Sequence, residues 1–407
     1  MKTIKQMLSY IPSNNNISLL KLILPLFFIC FALGEISKIR FSGAISVGLF
    51  DITVVLLSIY YLKKIRRNQF RLKIPIIIFI LASVFSLIIN VLSFEPSQLF
   101  VGSLYLVRFV AYTGIYFVAA SLTPLGKKYT LKFMTISGVF ILLLGYIQYF
   151  LYPSLKNLFY LGWDEHMYRM VSSYLDPNFA GVIFVLLFIF FYVFQRQLFP
   201  KKYISILVLS ATFISIILTY SRGALLMFVV SALIYSILKK NYKIIFAAIG
   251  SLLIVFIILS PRFYIENTNL LRTFTLGQRV ESIRQGLYIA KENPLGVGYN
   301  TFRYARENYG FADTSAFGPS HAGAGVDNSL VLILATAGIP GFLAYLYLIF
   351  RMFGLGINNL KRNDMAIVLI VSLGGLLVNS MLINSLLYSF IMAWIFLIAG
   401  LTENNEH

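Results

Sequence analysis

Apolar runs of membrane-spanning length recur from about residue 17 to residue 401, and for most of that length only short basic segments separate them. A helix needs about 20 apolar residues to cross the hydrocarbon of a bilayer. The chain is therefore expected to be an all-α polytopic membrane protein. The composition agrees, with 59% hydrophobic and 12% charged residues.

The runs place spans near residues 17–34, 42–62, 74–94, 99–121, 133–152, 178–195, 203–219, 223–238, 243–260, 328–355, 365–380 and 383–401, about twelve in all. They form a single integral membrane domain over 1–407. The first run has no small-residue cleavage site and leads directly into another span, so it is expected to remain as an anchor.

Orientation follows from the lysines. With the N-terminus in the cytoplasm, the inner loops are KKIRRNQFRLK (63–73), GKKYTLK, QRQLFPKK, KKNYK and NNLKRND, each of them basic. This satisfies the positive-inside rule and puts both termini in the cytoplasm. The net charge of +19 is thereby assigned to topology, and no nucleic-acid partner is implied.

Residues 203–238 are flanked by inner lysine pairs at both ends, Lys201-Lys202 and Lys239-Lys240. A single helix cannot start and finish on the same side, so the chain must turn back inside this stretch. The turn is expected at Ser221-Arg222-Gly223, which places Arg222 at the outer surface. By the same reasoning 365–401 is a hairpin turning near Asn379-Ser380. Two external segments are left, 153–177 and a large loop over 261–327, between the ninth and tenth spans, expected to carry short helices.

The large loop contains Arg262, Arg272, Arg279, Arg284, Lys291, Arg303 and Arg306. Arginine presents a planar fork of donors suited to phosphate or carboxylate, which points to an external anion. Arg303 and Arg306 are instead expected to pair with Glu266, Glu281, Glu292, Glu307 or Asp313 of the same loop, or with lipid headgroups. An isolated charge inside a bilayer is costly, so Asp51 and Arg108, in the second and fourth spans, are expected to pair with each other. Cys30 is the only cysteine, which excludes an internal disulfide. The histidines, His166, His321 and His407, form no metal-ligand pattern.

Three external stretches stand out: YLDPNFAGV (174–182), TYSRGALL (219–226), and GQRVESIRQGLYIAKENPLGVGYNTF (277–302) leading to VDNSLVLILATAGIPGF (326–342). In their order and spacing, over about residues 140–355, they resemble the O-antigen ligase and Wzy-type polysaccharide polymerase family. Arg222 matches that family's arginine between two spans. Arg279 matches the arginine before the Pro-Leu-x-Gly-Val-Gly loop, here Pro294, Gly296 and Gly298. Family ligases follow with His-Asn, whereas this chain has Asp327-Asn328 and then Gly338-Ile339-Pro340-Gly341. His321, six residues upstream of Asp327, is the nearest histidine. A polymerase accommodates this difference more easily than a ligase.

The resemblance implies a GT-C-like fold in a bacterial plasma (inner) membrane with the active site on its external face. It also implies a glycan donor on undecaprenyl diphosphate, an attacking acceptor hydroxyl, and no metal or other cofactor. Arg222 and Arg279 are the candidates to stabilise the diphosphate. Asp327 is the first candidate for general base and His321 the second, with Glu281 and Asp176 behind them. Against this, Asp327 could equally be the N-cap of the tenth span, and Asp176 is more safely read as the cap of the sixth. Arg284, Asp176, Asn178, Asn328 and Tyr299 are candidates for substrate binding. The external tyrosines 152, 160, 168, 174, 299, 304 and 309 and Trp163 suit either sugar stacking or interface anchoring.

The leading expectation is a polysaccharide polymerase joining lipid-linked repeat units, with membrane lipids and a chain-length regulator as further partners. An O-antigen ligase acting on lipid A core is the nearest alternative. A secondary transporter or a polysaccharide flippase is the alternative from another class. No internal repeat is visible, and the long loop is external, unlike that of a two-half carrier.

Overall fold

A computed structural model describes residues 15–40, 46–65, 70–161, 163–259, 268–270, 274–311 and 325–403. Fourteen α-helices lie in these residues. They are α1 (Asn15–Leu33), α2 (Leu49–Ile65), α3 (Lys73–Ile89), α4 (Pro96–Ala120), α5 (Pro124–Leu151), α6 (Pro177–Leu198) and α7 (Lys202–Leu218). Then come α8 (Arg222–Lys239), α9 (Lys243–Leu259), α10 (Phe274–Glu292), α11 (Phe302–Asn308), α12 (Ser329–Asn359), α13 (Asp364–Ser380) and α14 (Ser389–Thr402). By length and composition α4, α5, α6, α8 and α12 can each cross a membrane, and seven shorter apolar helices accompany them among the described residues. The protein is an all-α membrane protein, and each predicted span falls on one of these helices.

Prolines set several helix starts. Pro96, Pro124 and Pro177 occupy first-turn positions, where the missing N–H costs nothing and the fixed φ already suits a helix. Small residues let neighbouring helices approach: a Cβ on Gly400 of α14 would lie 2.6 Å from Cβ of Ala119 on α4. In a bilayer such contacts hold helices together by dispersion, because lipid is as apolar as the helix faces.

The bundle has two chemically distinct ends. At one, Glu403 forms an ion pair with Arg71 at 3.7 Å and accepts a hydrogen bond from Tyr116. There Lys127 Nζ donates to the Glu403 carbonyl at 2.9 Å. At the other end lie residues 34–40 and 46–48, residues 153–161 and 163–176, the α7–α8 turn, the 293–301 loop and residues 381–388.

Four features differ from the sequence expectation. The second span begins at Leu49, because Lys38–Arg40 (β1) and Ser46–Gly48 (β2) pair as a short antiparallel hairpin ahead of it. The α7–α8 turn has its left-handed residue at Tyr220 (φ 49°), while Gly223 lies inside α8. Gly223 instead allows close approach, since a Cβ there would be 3.0 Å from Nδ2 of Asn379. Asn379-Ser380 ends α13 rather than forming the turn, which runs through 381–388.

The tenth span is not one continuous helix. Gly338 adopts φ 69° and ψ −174°, which divides α12 into two helical stretches. The carbonyls freed at the break are taken by the loop before α11: Val297 N–H donates to Ala335 O and Gly298 N–H to Thr336 O, both at 3.0 Å. Ile339 N–H donates to Pro294 O at 2.8 Å. From α3 Ser86 Oγ donates to Thr336 O at 2.7 Å, and from its C-cap Asn90 Nδ2 donates to Gly296 O at 2.8 Å. The Pro-Leu-Gly-Val-Gly stretch is therefore a backbone plug for a broken helix, and it satisfies groups that could not be left bare in a membrane.

Candidate functional site

A cavity of about 510 Å³ opens at the end of the bundle where the broken helix begins. This is within the usual range for small-molecule sites. Of the candidates read from the sequence, Arg279, Asp327, Asp176, Asn178 and Tyr299 line it.

Asp176 performs two tasks. One carboxylate oxygen caps α6, accepting from Asn178 N–H at 2.6 Å and Phe179 N–H at 3.2 Å. Its other oxygen lies 3.9 Å from Nε2 of His166. The cap is thus present, and it leaves half of the carboxylate facing the cavity.

Asp327 is not a helix cap. That position belongs to Asn328, whose Oδ1 accepts from Leu330 N–H at 2.9 Å and Val331 N–H at 3.0 Å. Asn328 Nδ2 donates to Met381 O at 3.3 Å, so the Asn328 side chain is engaged away from the cavity wall. The Asp327 carboxylate is free of capping and partly buried at the cavity wall. Burial pushes its pKa above the ordinary aspartate value. Arg279 opposes that shift and Asp176 adds to it, so all three charges share one neighbourhood.

Arg222 is the first residue of α8, directly after Ser221, which caps the helix by accepting from Ala224 N–H at 3.4 Å. Ser221 Oγ also donates to Asn178 Oδ1 at 3.0 Å, which ties the α7–α8 turn to the start of α6. Arg169, itself buried, donates from Nε to Thr219 O at 2.8 Å and steadies the same turn. Arg222 lies outside the cavity lining, but it is near enough to Arg279 for their like charges to repel. A cation at a helix N-terminus also faces the positive end of the helix dipole. Arg279 thus links the two parts of the site, lying near Arg222 on one side and lining the same cavity as Asp327 on the other.

Tyr299 is buried between Phe79 and Phe109, with ring centroids 6.2 and 6.4 Å away, and burial holds its phenol protonated. Arg284 is exposed on α10 and is not part of the cavity wall. His321, Arg262 and Arg272 lie outside the described residues.

Asp51 and Arg108 do pair. Arg108 Nε lies 3.1 Å from Asp51 Oδ1, Nη2 donates to Oδ2 at 3.1 Å, and Nη2 also reaches Ser46 O at 3.0 Å. Arg303 lines the cavity and forms no ion pair among the described residues, and two of the acids expected as its partners, Glu266 and Asp313, lie outside them. Arg306 is held by Gln285 Oε1 at 3.1 Å and Phe311 O at 3.0 Å.

Several wall residues escaped the sequence reading. His166 sits in a left-handed conformation (φ 46°) within an irregular segment that gives no periodic signal. Glu35 is buried and accepts from Tyr388 Oη at 2.9 Å, with Lys38 Nζ 2.5 Å from its other oxygen. A buried Glu at the end of the first apolar run was the available clue, since such a charge must find a partner. Trp163, Tyr174 and Tyr304 of the external aromatics do line the cavity, whereas Tyr309 stacks on Phe311.

Fold and cavity together define a polytopic helical membrane protein with a charged site at one end of its bundle. Residues 206–346 match the O-antigen ligase family model. The matched segment contains Arg222, Arg279, Asp327 and the break at Gly338, and lies within the stretch whose motifs carry the resemblance. The match gives the chain the broad character of a membrane glycosyltransferase-type enzyme. No curated protein matches the chain.

Proposed function

We propose that the protein is a polysaccharide polymerase. It transfers a glycan from undecaprenyl diphosphate to a sugar hydroxyl of a second lipid-linked repeat unit, at the external face of a bacterial plasma membrane. Twelve spans with both termini in the cytoplasm fit the alternation of basic loops, and a chain-length regulator is the expected protein partner.

The observation that carries this reading is that Arg279 lines one cavity with Asp327 and Asp176 and is near enough to Arg222 for their charges to interact. A glycosyl transfer from a diphosphate needs a base at the attacking oxygen and cations at the leaving group. In the proposed step Asp327 accepts the proton of the acceptor hydroxyl while that oxygen bonds to the anomeric carbon. The anomeric C–O bond to phosphate breaks, and the diphosphate leaves with the electron pair into the field of Arg222 and Arg279.

A ligase reading is favoured by one observation, the description of the matched family as O-antigen ligase. The test is product formation by purified protein in liposomes. Undecaprenyl-diphosphate-linked repeat units alone should give a ladder of polymer lengths, lost in Arg222→Ala and Arg279→Ala variants that stay folded. A product that forms only when lipid A core is supplied would replace polymerase by ligase.

A further inference from the structure

Asn379, in the last turn of α13, is fully buried, and neither its amide nitrogen nor its amide oxygen has a hydrogen-bond partner among the described residues. It is the one side chain there that leaves two buried polar atoms unmet. A buried amide without partners costs free energy, and a leucine of similar size would pack without that cost. Stability therefore gives no reason for an asparagine at this position, and the reason has to come from its surroundings.

Asn379 Nδ2 lies 3.0 Å from where a Cβ on Gly223 would stand, so the amide faces the first turn of α8, one residue from Arg222. The two helices pack closely along the rest of their length, with Gly375 against Ser231 and Gly374 against Ile234, which fixes the amide beside that turn. From Asn379 the chain then runs to the cavity. The Asn379 carbonyl accepts from Leu382 N–H at 2.9 Å and Ile383 N–H at 3.2 Å, and Asn384 lines the cavity. Ser329, two residues after Asp327, donates from Oγ to Ile383 O at 3.3 Å and accepts there from Leu386 N–H at 3.1 Å. Asn384 Oδ1 and Ser385 Oγ are also buried without partners among the described residues. Residues 379–386 thus join the turn that carries Arg222 to the start of α12, and polar groups run along them. Arg222 itself lies outside the cavity lining, so a group that directs its side chain is needed if it is to serve the cavity.

We propose that Asn379 is a positioning residue for the transfer. Its amide oxygen accepts from the Arg222 guanidinium as negative charge develops on the departing diphosphate, and so holds the fork of donors toward the cavity. An amide suits this task because it can orient a guanidinium without cancelling its charge, as a carboxylate would. The inference rests on the functional reading above, and it adds to that reading a residue outside the family-matched segment 206–346.

The test measures polymer formation in liposomes by wild type, Asn379→Leu, Arg222→Lys and the double variant, after size exclusion has shown that each is folded. Asn379→Leu should keep KM and lose about tenfold in kcat, about what one hydrogen bond to a charged group contributes. Arg222→Lys has no fork to orient, so adding Asn379→Leu to it should cost nothing further and the two effects should not multiply. Asn379→Ala, which adds no bulk, carries the same comparison if the leucine variant does not fold. Ser372→Ala, at another fully buried and unpartnered polar group earlier in α13, should leave the rate unchanged.

Full activity in the Asn379 variant overturns the assignment while the functional reading stands. A loss that multiplies with that of Arg222→Lys also overturns it, because a general disturbance of packing acts in that way. Polymer formation by Arg222→Lys at the wild-type rate removes the fork from the mechanism and the inference with it. A wild type that makes no polymer overturns the functional reading together with the inference.

Discussion

Gly296 and Gly338 meet backbone to backbone. A Cβ placed on Gly338 would lie 2.6 Å from the Gly296 nitrogen, and one on Gly296 would lie 2.7 Å from the Ala337 carbonyl carbon. Both have positive φ, 83° at Gly296 and 69° at Gly338. The contact joins the broken helix α12 to the loop after α10, and so holds Asp327, before the break, and Arg279, on α10, on one frame.

Gly338→Ala and Gly296→Ala should each destabilise the protein severely. The backbone conformation at Gly338 is essentially reserved for glycine and costs a side chain about 1–3 kcal/mol before any overlap is counted. The overlap is with backbone atoms, which cannot rotate away. The measure is the thermal midpoint of detergent-solubilised protein followed by size exclusion; a midpoint equal to wild type at either position would refute the packing argument.

Arg279→Ala should reduce turnover by about 10²–10³, the usual effect of removing one preorganised donor from a developing oxyanion. Arg279→Lys should recover part of this, because lysine restores the charge but not the two-pronged geometry. Polymer yield per minute in liposomes reads both variants. Full activity in Arg279→Lys would mean that only the charge matters, and full activity in Arg279→Ala would remove the residue from the mechanism.

The pH dependence has a definite sign. Asp327 acts as a base only when ionised, and burial raises its pKa above the ordinary value near about 3.9. Activity should therefore rise with pH through a limb displaced upward from the aspartate range. Asp176→Asn keeps the α6 cap, since Asn caps as well as Asp, but removes a repelling charge, so the limb should move to lower pH. Arg279→Gln removes the cation that favours the carboxylate, so the limb should move to higher pH. A raised native pKa also means that ionised Asp327 costs stability, a contribution present at low pH and lost as pH rises through that pKa. Asp327→Asn should then be inactive yet at least as stable as wild type at neutral pH. A limb unmoved by both neighbours would exclude Asp327 as the titrating base.

How much of this was legible in the sequence depends on the kind of signal. The lysine pairs at 201–202 and 239–240 forced a turn between them, and α7 and α8 do meet at 219–221. The break at Gly338 was invisible because Ala-Gly-Ile-Pro-Gly lies inside an apolar run, where one glycine and one proline can also be tolerated in a continuous helix. Only the tertiary plug from 294–298 makes the break possible, and that contact spans about 40 residues of sequence. Asp327 and Asn328 are adjacent cap formers, and propensity alone does not choose between them. The cavity's far wall, with Glu35, Lys38 and His166, comes from segments without periodicity, so nothing local marked those residues as neighbours of Arg279.

The Asp51–Arg108 pair yields a last prediction. Asp51 accepts from Arg108, from Tyr112 Oη at 2.8 Å and from Gly48 N–H at 2.9 Å, and Arg108 in turn holds Ser46 O. One carboxylate thus fastens α2, α4 and strand β2, and the β1–β2 hairpin supplies Lys38 and Ser46 to the cavity wall. Removing one partner of a buried pair leaves the other charge uncompensated and costs about 3–5 kcal/mol, whereas replacing both by apolar residues can be close to neutral. Asp51→Leu alone should therefore lower the thermal midpoint sharply, and Asp51→Leu with Arg108→Leu should recover more than half of the loss. The double variant also separates two tasks of Arg108, because a recovered fold with lost polymer formation would place its guanidinium in the chemistry as well as in the scaffold. If the double variant melts as low as Asp51→Leu, the pair is not what fastens the hairpin, and the tyrosine and backbone contacts of Asp51 carry that load instead.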